Sequence, residues 1–286
     1  MISGLLLFAS LAGTAPTHKD EQPIHCGSCA KWNAPHAPFR LHGNSYYVGV
    51  DGLSSVLITT PNGHFLIDGG LPQSAEAIKH NIQALVFDVR DVKWLMNSHA
   101  HYDHAGGLAA LQRMSAAPAV ASSETVKALK LGQALPNDPQ YAADNTMAFP
   151  AIASVRSIQD GGTLAVADFK VTAHDTPGHA PGGNSWSWKS CEAGKYVTMV
   201  FADSQTAVSE PGYRFSDHPT YLKAFRQSIA KIRALDCDIL VSAHPDSSEL
   251  FEKVSAGSLV DANSCRKYAD AADARLDKRL AKEVAQ

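Results

Sequence analysis

The sequence predicts an α/β protein in which two mixed β-sheets pack face to face with helices outside. Short apolar runs bounded by turn residues alternate with stretches of helical periodicity. Each half of the chain runs from strands to helices, and no linker frees one half from the other. Two sheets sharing a core satisfy both observations. With 286 residues, 45% of them hydrophobic, the chain has ample apolar area for such a core.

Taken in order, residues 1–16 carry no charged side chain, and Leu5–Ala12 is a short apolar run before the small-x-small triplet Gly13-Thr14-Ala15. Residues 1–15 therefore read as a secretory signal peptide, which leaves 16–286 as a single domain. No Lys or Arg precedes the run and Pro16 would follow the cut, so a disordered or tag-derived start is the alternative. Cys26 to Arg40 is Pro-rich and irregular. Tyr46–Val50, Ser55–Thr59 and His64–Asp68 are strand-like, separated by turns such as Pro61-Asn62-Gly63.

Ala77, Ile78, Ile82, Leu85 and Val86 recur at helical spacing. Val92–Met96 is a short buried strand, and the chain turns helical from Asp103. Pro118–Ala121 reads as a strand and Ser123–Leu131 as a helix. Gly132–Ser154 is a polar loop with three prolines; such a long loop in a compact domain is usually functional or mobile. Strands resume at Leu164–Ala173 and Tyr196–Ala202. Pro219–Leu235 is an amphipathic helix with Leu222, Phe225, Ile229 and Ile232 on one face, and Asp238–Ser242 is a last core strand. From Ala269 the Ala-rich, charged tail reads as a solvated helix.

Composition narrows the function. A net charge of −3 lacks the basic footprint of a nucleic-acid binder, so no nucleic-acid partner is expected. No apolar run approaches the roughly 18 residues that cross a bilayer. Cys26 and Cys29 form a C-x-x-C, weak evidence by itself for a metal or redox site. The five cysteines leave at least one thiol unpaired within the chain.

The chemistry concentrates in residues 97–107, NSHAHYDHAGG. His99 and His101 are spaced i, i+2, so an extended segment presents both imidazoles on one side. Asp103 and His104 fall where the chain turns helical and can face a neighbouring point. Gly106 and Gly107 remove side chains where backbone must pack closely. His179, in a Gly/Pro-rich turn, and His244, just past Ser242, stand at two further strand ends. Six candidate ligands at three strand ends are enough for two metals with three protein ligands each. Imidazole and carboxylate suit zinc, and catalytic zinc sites keep an open position. The remaining histidines, at 18, 25, 36, 42, 64, 80, 174 and 218, are read mostly as surface residues.

This constellation, from about Trp32 to Cys265, resembles the metallo-β-lactamase superfamily, and within it the third subclass of the zinc β-lactamases. The subclass resemblance rests on Asn44-Ser45-Tyr46-Tyr47-Val48-Gly49, on Thr176-Pro177-Gly178-His179 leading into Trp186-Ser187-Trp188, on Phe201-Ala202-Asp203-Ser204, and on His104 after Asp103. Other subclasses place a cysteine ligand where this chain has Ser204. The resemblance implies an αββα sandwich with two zinc ions at its edge. One would be held by His99, His101 and His179, the other by Asp103, His104 and His244. It implies hydrolysis of a β-lactam by a hydroxide bridging the metals, with Asp103 orienting the hydroxide. It also implies that Ser204 and Thr206 contact the substrate carboxylate, and that Cys237 pairs with Cys265. Asp68 resembles a buried aspartate that supports the metal site; a strand-end turn residue is its other reading. An exported, periplasmic or secreted monomer is expected.

Two other functions compete. A thioester or lactone hydrolase of the glyoxalase II or acyl-homoserine-lactonase kind would use Asp203 as a metal bridge. A periplasmic zinc-binding protein would have the ligands without a substrate groove, and the Gly132–Ser154 loop argues against that reading.

Overall fold

The computed structural model describes residues 22–144, 146 and 148–285; the expected signal peptide lies outside them. A one-turn helix α1 (Cys29–Trp32) precedes β1 (Phe39–His42), β2 (Ser45–Tyr47), β3 (Val56–Thr60) and β4 (Gly63–Ile67). Helix α2 (Ser74–Ala84) leads to β5 (Val92–Met96), followed by α3 (Tyr102–Ala105) and α4 (Leu108–Ser115). Strand β6 (Ala119–Ser122), helix α5 (Ser123–Leu131) and strand β7 (Val155–Ile158) complete the first half. The second half has β8 (Thr163–Val166), β9 (Phe169–Asp175), β10 (Asn184–Glu192), β11 (Lys195–Ala202), α6 (Pro219–Ala234), β12 (Ile239–Ser242), α7 (Leu250–Ser255) and α8 (Ser264–Val284).

The strands form a seven-stranded sheet, β1 to β7 in order, and a five-stranded sheet, β12-β11-β10-β9-β8. Both are mixed: β1 to β4 pair antiparallel and β4 to β7 parallel. In the second sheet only β11 and β12 pair in parallel.

Strand alternation explains the layers. Val56, Ile58, Phe65, Ile67 and Met96 of the first sheet meet Trp186, Met199, Phe201, Ile239 and Val241 of the second in one core. Their neighbours Leu57, Leu66 and Leu95 point the other way, under Ile78 and Ile82 of α2 and Leu108 and Leu111 of α4. Val200 and Leu240 likewise point away from the shared core, toward Ile232 of α6 and Tyr268 of α8. Helix, sheet, sheet, helix is the αββα order. Strands buried on both faces read as apolar runs rather than alternating ones, which is why β4 and β12 are visible in the sequence.

Several expectations need correction. The run from Leu164 to Ala173 is a hairpin, because Asp168 turns the chain between β8 and β9. Strand β7 was not foreseen; its exposed Arg156 and Ser157 hide it among loop residues. The tail helix is longer than expected and not free in solvent: Tyr268, Ala269, Ala272 and Leu276 are buried along one face. His64 lies buried in β4, not on the surface. Disulfides join Cys237 to Cys265 and Cys26 to Cys29, leaving Cys191 free and exposed.

Candidate metal centre

The site forms where strands of both sheets end on one edge. From the first sheet, β4 delivers Asp68 and β5 delivers the run Asn97 to His104. From the second, the β9–β10 turn brings His179, β11 brings Asp203 and Ser204, and β12 brings His244. The helical run from Asp103 breaks at Gly106 and Gly107. A Cβ on Gly107 would stand 2.2 Å from the Gly69 carbonyl oxygen, so glycine alone lets this turn lie against the β4 end.

The ligand atoms of His99, His101 and His179 lie within 4.8 Å of one another, as do those of His99, Asp103 and His104. Asp103 Oδ2 is 3.3 Å from both His104 Nε2 and His244 Nε2. Those two nitrogens are 3.2 Å apart. A tetrahedral zinc with bonds of 2.0–2.1 Å separates its ligands by about 3.3–3.4 Å, so this triangle matches one face of such a site. His99 Nε2 is buried and without a hydrogen-bond partner. A buried, lone imidazole acceptor among other imidazoles is costly unless something electropositive faces it. The donor set of imidazole and carboxylate suits zinc.

Four of the five histidines are hydrogen-bonded from behind to an oxygen, and the fifth, His104, faces a carboxylate at longer range. His99 Nδ1 is 2.7 Å from Asp203 Oδ1, and His101 Nε2 is 2.9 Å from Asp138 Oδ2. His104 Nδ1 lies 3.5 Å from Asp68 Oδ2. His179 Nδ1 faces the Thr206 carbonyl at 3.0 Å and its hydroxyl at 2.9 Å, and His244 Nδ1 faces the Gly52 carbonyl at 3.1 Å. An oxygen behind the ring fixes its orientation and turns the other nitrogen inward, the usual way a metal-binding histidine is oriented.

Asp68 is buried with φ of 58°, a left-handed conformation that aspartate tolerates better than most residues. Its carboxylate accepts from the Ser98 amide at 2.7 Å, the Ser98 hydroxyl at 2.6 Å and Asn97 Nδ2 at 3.1 Å. It therefore pins the segment that carries His99. Asp203 acts from the other sheet. A Cβ on Gly183 would come within 2.0 Å of Asp203 Oδ2, so this glycine makes room for the carboxylate.

Electrostatics follow from burial. Burial, reinforced by the charges of His104, His101 and His179, holds His99 well below the usual histidine pKa. Burial and His101 lower His179 to about 3. Both rings are thus neutral at neutral pH. For His104 burial opposes the charged form, but the Asp103 and Asp68 carboxylates outweigh it and raise the pKa to about 10. Burial also opposes charge on His101, and Asp138 prevails and raises it. Burial likewise pushes the Asp203 carboxyl well above the usual carboxylate range, so neither partner of the His99–Asp203 pair favours its charged form. A metal on Nε2 would require the ring proton on Nδ1, facing Asp203 Oδ1.

Sequence reasoning missed Asp138, Gln140, Trp32 and the His99 contact of Asp203. Asp138 and Gln140 lie on the Gly132–Ser154 loop, where Gln140 Nε2 is 3.2 Å from His179 Nε2. Nothing local marks them, since their partners lie 37 and 39 residues away. The same loop joins the one after β11, where the Glu210 amide donates to the Pro139 carbonyl at 2.9 Å. Ser204 is buried beside Asp203.

A family model described as the metallo-beta-lactamase superfamily matches residues 48–194. Among solved structures, the chain is 49% identical to one described as Rm3 metallo-beta-lactamase, with a TM-score of 0.87 over 91% of this chain and 99% of that one. It is 45% identical to MEM-A1, a subclass B3 metallo-beta-lactamase isolated from a soil metagenome library, with a TM-score of 0.85 over 89% and 99% of the two chains. It is 39% identical to MIM-1 from Novosphingobium pentaromativorans, with a TM-score of 0.85 over 89% and 93%. With its two-sheet sandwich and its histidine–aspartate cluster on the sandwich edge, the chain belongs to the metallo-β-lactamase superfamily.

Proposed function

We propose that the protein is a subclass B3 zinc β-lactamase that hydrolyses the β-lactam amide bond of penicillins, cephalosporins and carbapenems. One observation carries this reading: five histidines, each backed by an oxygen, converge with Asp103 into two adjoining ligand groups. His99, His101 and His179 would hold one zinc ion; Asp103, His104 and His244 would hold the second. When bound, zinc supplies Lewis acidity toward the carbonyl and lowers the pKa of water toward about 7.

The chain's own residues do the rest. Asp203, Asp138 and Asp68 fix the rings and hold their outer protons, so the inner nitrogens face the metals, whose binding would displace the second proton that the carboxylates favour on His101 and His104. Asp103 orients the attacking water with its carboxylate. Ser204 and Thr206 are assigned to the substrate carboxylate. The Thr206 hydroxyl can accept from His179 Nδ1–H and still donate its own proton outward. The loops 132–154 and 204–216 wall the groove and exclude water. The small-molecule substrate, export by the residue 1–15 signal and a monomeric state complete the reading. No helix among the described residues is long and apolar enough to cross a membrane.

The aspartate-bridged thioester or lactone hydrolase fits less well. Asp203 Oδ1 engages the outer nitrogen of His99, behind the ring, and so does not reach between the two ligand groups. Nitrocefin hydrolysis by the purified protein tests the proposal. Turnover should vanish on exhaustive chelation, return with zinc, and resist mechanism-based serine-lactamase inhibitors. Turnover that survives chelation would refute it.

A further inference from the structure

The Cys26-x-x-Cys29 motif has no part in the hydrolytic reading. The two cysteines are joined, and Cys29 opens α1 with its side chain buried. Trp32 closes that helix. Its carbonyl accepts from the Gly52 amide at 2.9 Å, and the Ala34 carbonyl accepts from the Asp51 amide at 2.9 Å. The contact is close: a Cβ on Gly52 would stand 2.6 Å from Trp32 Cδ1 and 2.7 Å from its Cα. Gly52 in turn holds His244, whose Nδ1 lies 3.1 Å from the Gly52 carbonyl. The Trp32 and His244 rings sit 5.2 Å apart, tilted by 51°.

His244 needs this support more than the other histidines. Its side chain is 24% exposed, whereas those of His99 and His104 are fully buried and His101 is 7% exposed. It is therefore packed on fewer sides, and Gly52 and Trp32 supply much of what fixes it. A helix of four residues has no stability of its own, so α1 keeps its place through its contacts and its disulfide.

We infer that the Cys26–Cys29 disulfide, α1 and Trp32 form a clamp that positions His244, so that zinc affinity at the Asp103–His104–His244 site, and not at the other site, depends on this disulfide. The inference rests on the two-site reading above. Trp32 is a positioning residue: it acts through His244. A dithiol reductant would convert the disulfide to two thiols and become a disulfide itself. Asn33 would stay tied through its Oδ1, which accepts from the Ser74 hydroxyl at 2.6 Å, so the loosening would be confined to the turn that carries Trp32.

The test withdraws zinc from the fully loaded protein with a chromophoric chelator, resolving two affinities. Cys26→Ser/Cys29→Ser and Trp32→Ala should weaken one site by about 10- to 100-fold, the range for lost support of a metal ligand, and leave the other unchanged. Trp32→Phe should restore most of the affinity. Gly52→Ala, whose methyl would press on the Trp32 ring and Cα while both cysteines stay in the sequence, should repeat the loss and keeps the test decisive if the serine variant folds poorly. Unchanged affinities, or equal weakening at both sites, would overturn the inference, as would a wild-type protein that takes up only one zinc ion. A wild-type protein that binds two zinc ions but leaves β-lactams intact would refute the proposed activity and leave the clamp standing.

Discussion

At Asp138 the gap between sequence and structure is widest. Its carboxylate sits in a Pro-rich loop, yet it holds a candidate metal ligand at 2.9 Å. The histidines were legible because His-x-His-x-Asp-His is a local pattern after an apolar strand. Their supports were not, because a hydrogen bond across 37 or 104 residues leaves no local trace. Asp138→Asn keeps the shape but loses the charge behind His101. Zinc affinity at the His99–His101–His179 site should fall by about tenfold or more, measured by chelator competition. Ser204 and Thr206 separate by a second readout. A hydrogen bond to a charged group is worth about 1.5–3 kcal/mol, so Ser204→Ala should cost roughly 10- to 150-fold in kcat/KM while zinc content stays constant. Thr206→Val should lower kcat/KM and zinc content together, since its hydroxyl also meets His179. A Ser204→Ala enzyme with full kcat/KM would place the carboxylate anchor elsewhere.

Among the elements, a short apolar run or a capped helical pattern marks the span to within a residue or two. Strand β5 matches its expected span, and so does α5, whose N-cap Ser122 accepts from the Thr125 amide. The end of the chain was misread, because alanine packs on a core without looking apolar. Along α8, Ala269 and Ala272 join Phe215, Phe225 and Ile229 in one cluster. Near its end, buried Glu283 accepts from the Phe215 amide at 3.0 Å, the Ser216 amide at 2.9 Å and Arg279 Nε at 2.7 Å. Arg279 Nη2 also donates to Ser209 Oγ and the Tyr213 carbonyl, both at 2.8 Å. The helix thus ties down the loop after β11. Burial would raise the Glu283 pKa, but the two amides and Arg279 lower it to about 2. A carboxylate with a depressed folded pKa adds stability above its unfolded pKa, near 4.5, and that stability is lost as pH falls toward 2. At about 1.4 kcal/mol per pH unit, the shift from 4.5 to about 2 corresponds to a contribution on the order of 3 kcal/mol. Glu283→Gln should destabilise the protein by that order at pH 7 and by much less near pH 2. Denaturant melts at the two pH values measure the difference.

Across the whole molecule, the candidate ligands come from both sheets, which otherwise meet through the apolar core and a few polar contacts such as Trp188 Nε1 to Ser45 Oγ at 2.9 Å and Trp94 Nε1 to the Ala165 carbonyl at 3.0 Å. His99, His101, Asp103 and His104 follow a strand of the seven-stranded sheet, while His179 and His244 follow strands of the five-stranded sheet. Each proposed zinc ion would therefore have ligands from both sheets, and metal binding should be part of the stability of the sandwich. A ligand that binds only the folded state stabilises it according to its excess over Kd, by about 4 kcal/mol at a thousandfold excess. In a domain of 150–250 residues 1 kcal/mol moves Tm by roughly 2–4 °C. Zinc at that excess should thus raise Tm by roughly 8–16 °C over the chelated protein. The gain should grow with the logarithm of free zinc. His179→Ala and His244→Ala each remove one sheet's ligand from one site, so each should lose part of the gain, and the double variant nearly all of it. Magnesium, which favours oxygen ligands, should not replace zinc. A Tm independent of zinc, in protein shown by elemental analysis to gain and lose the metal, would mean that the strand ends are fully organised without it.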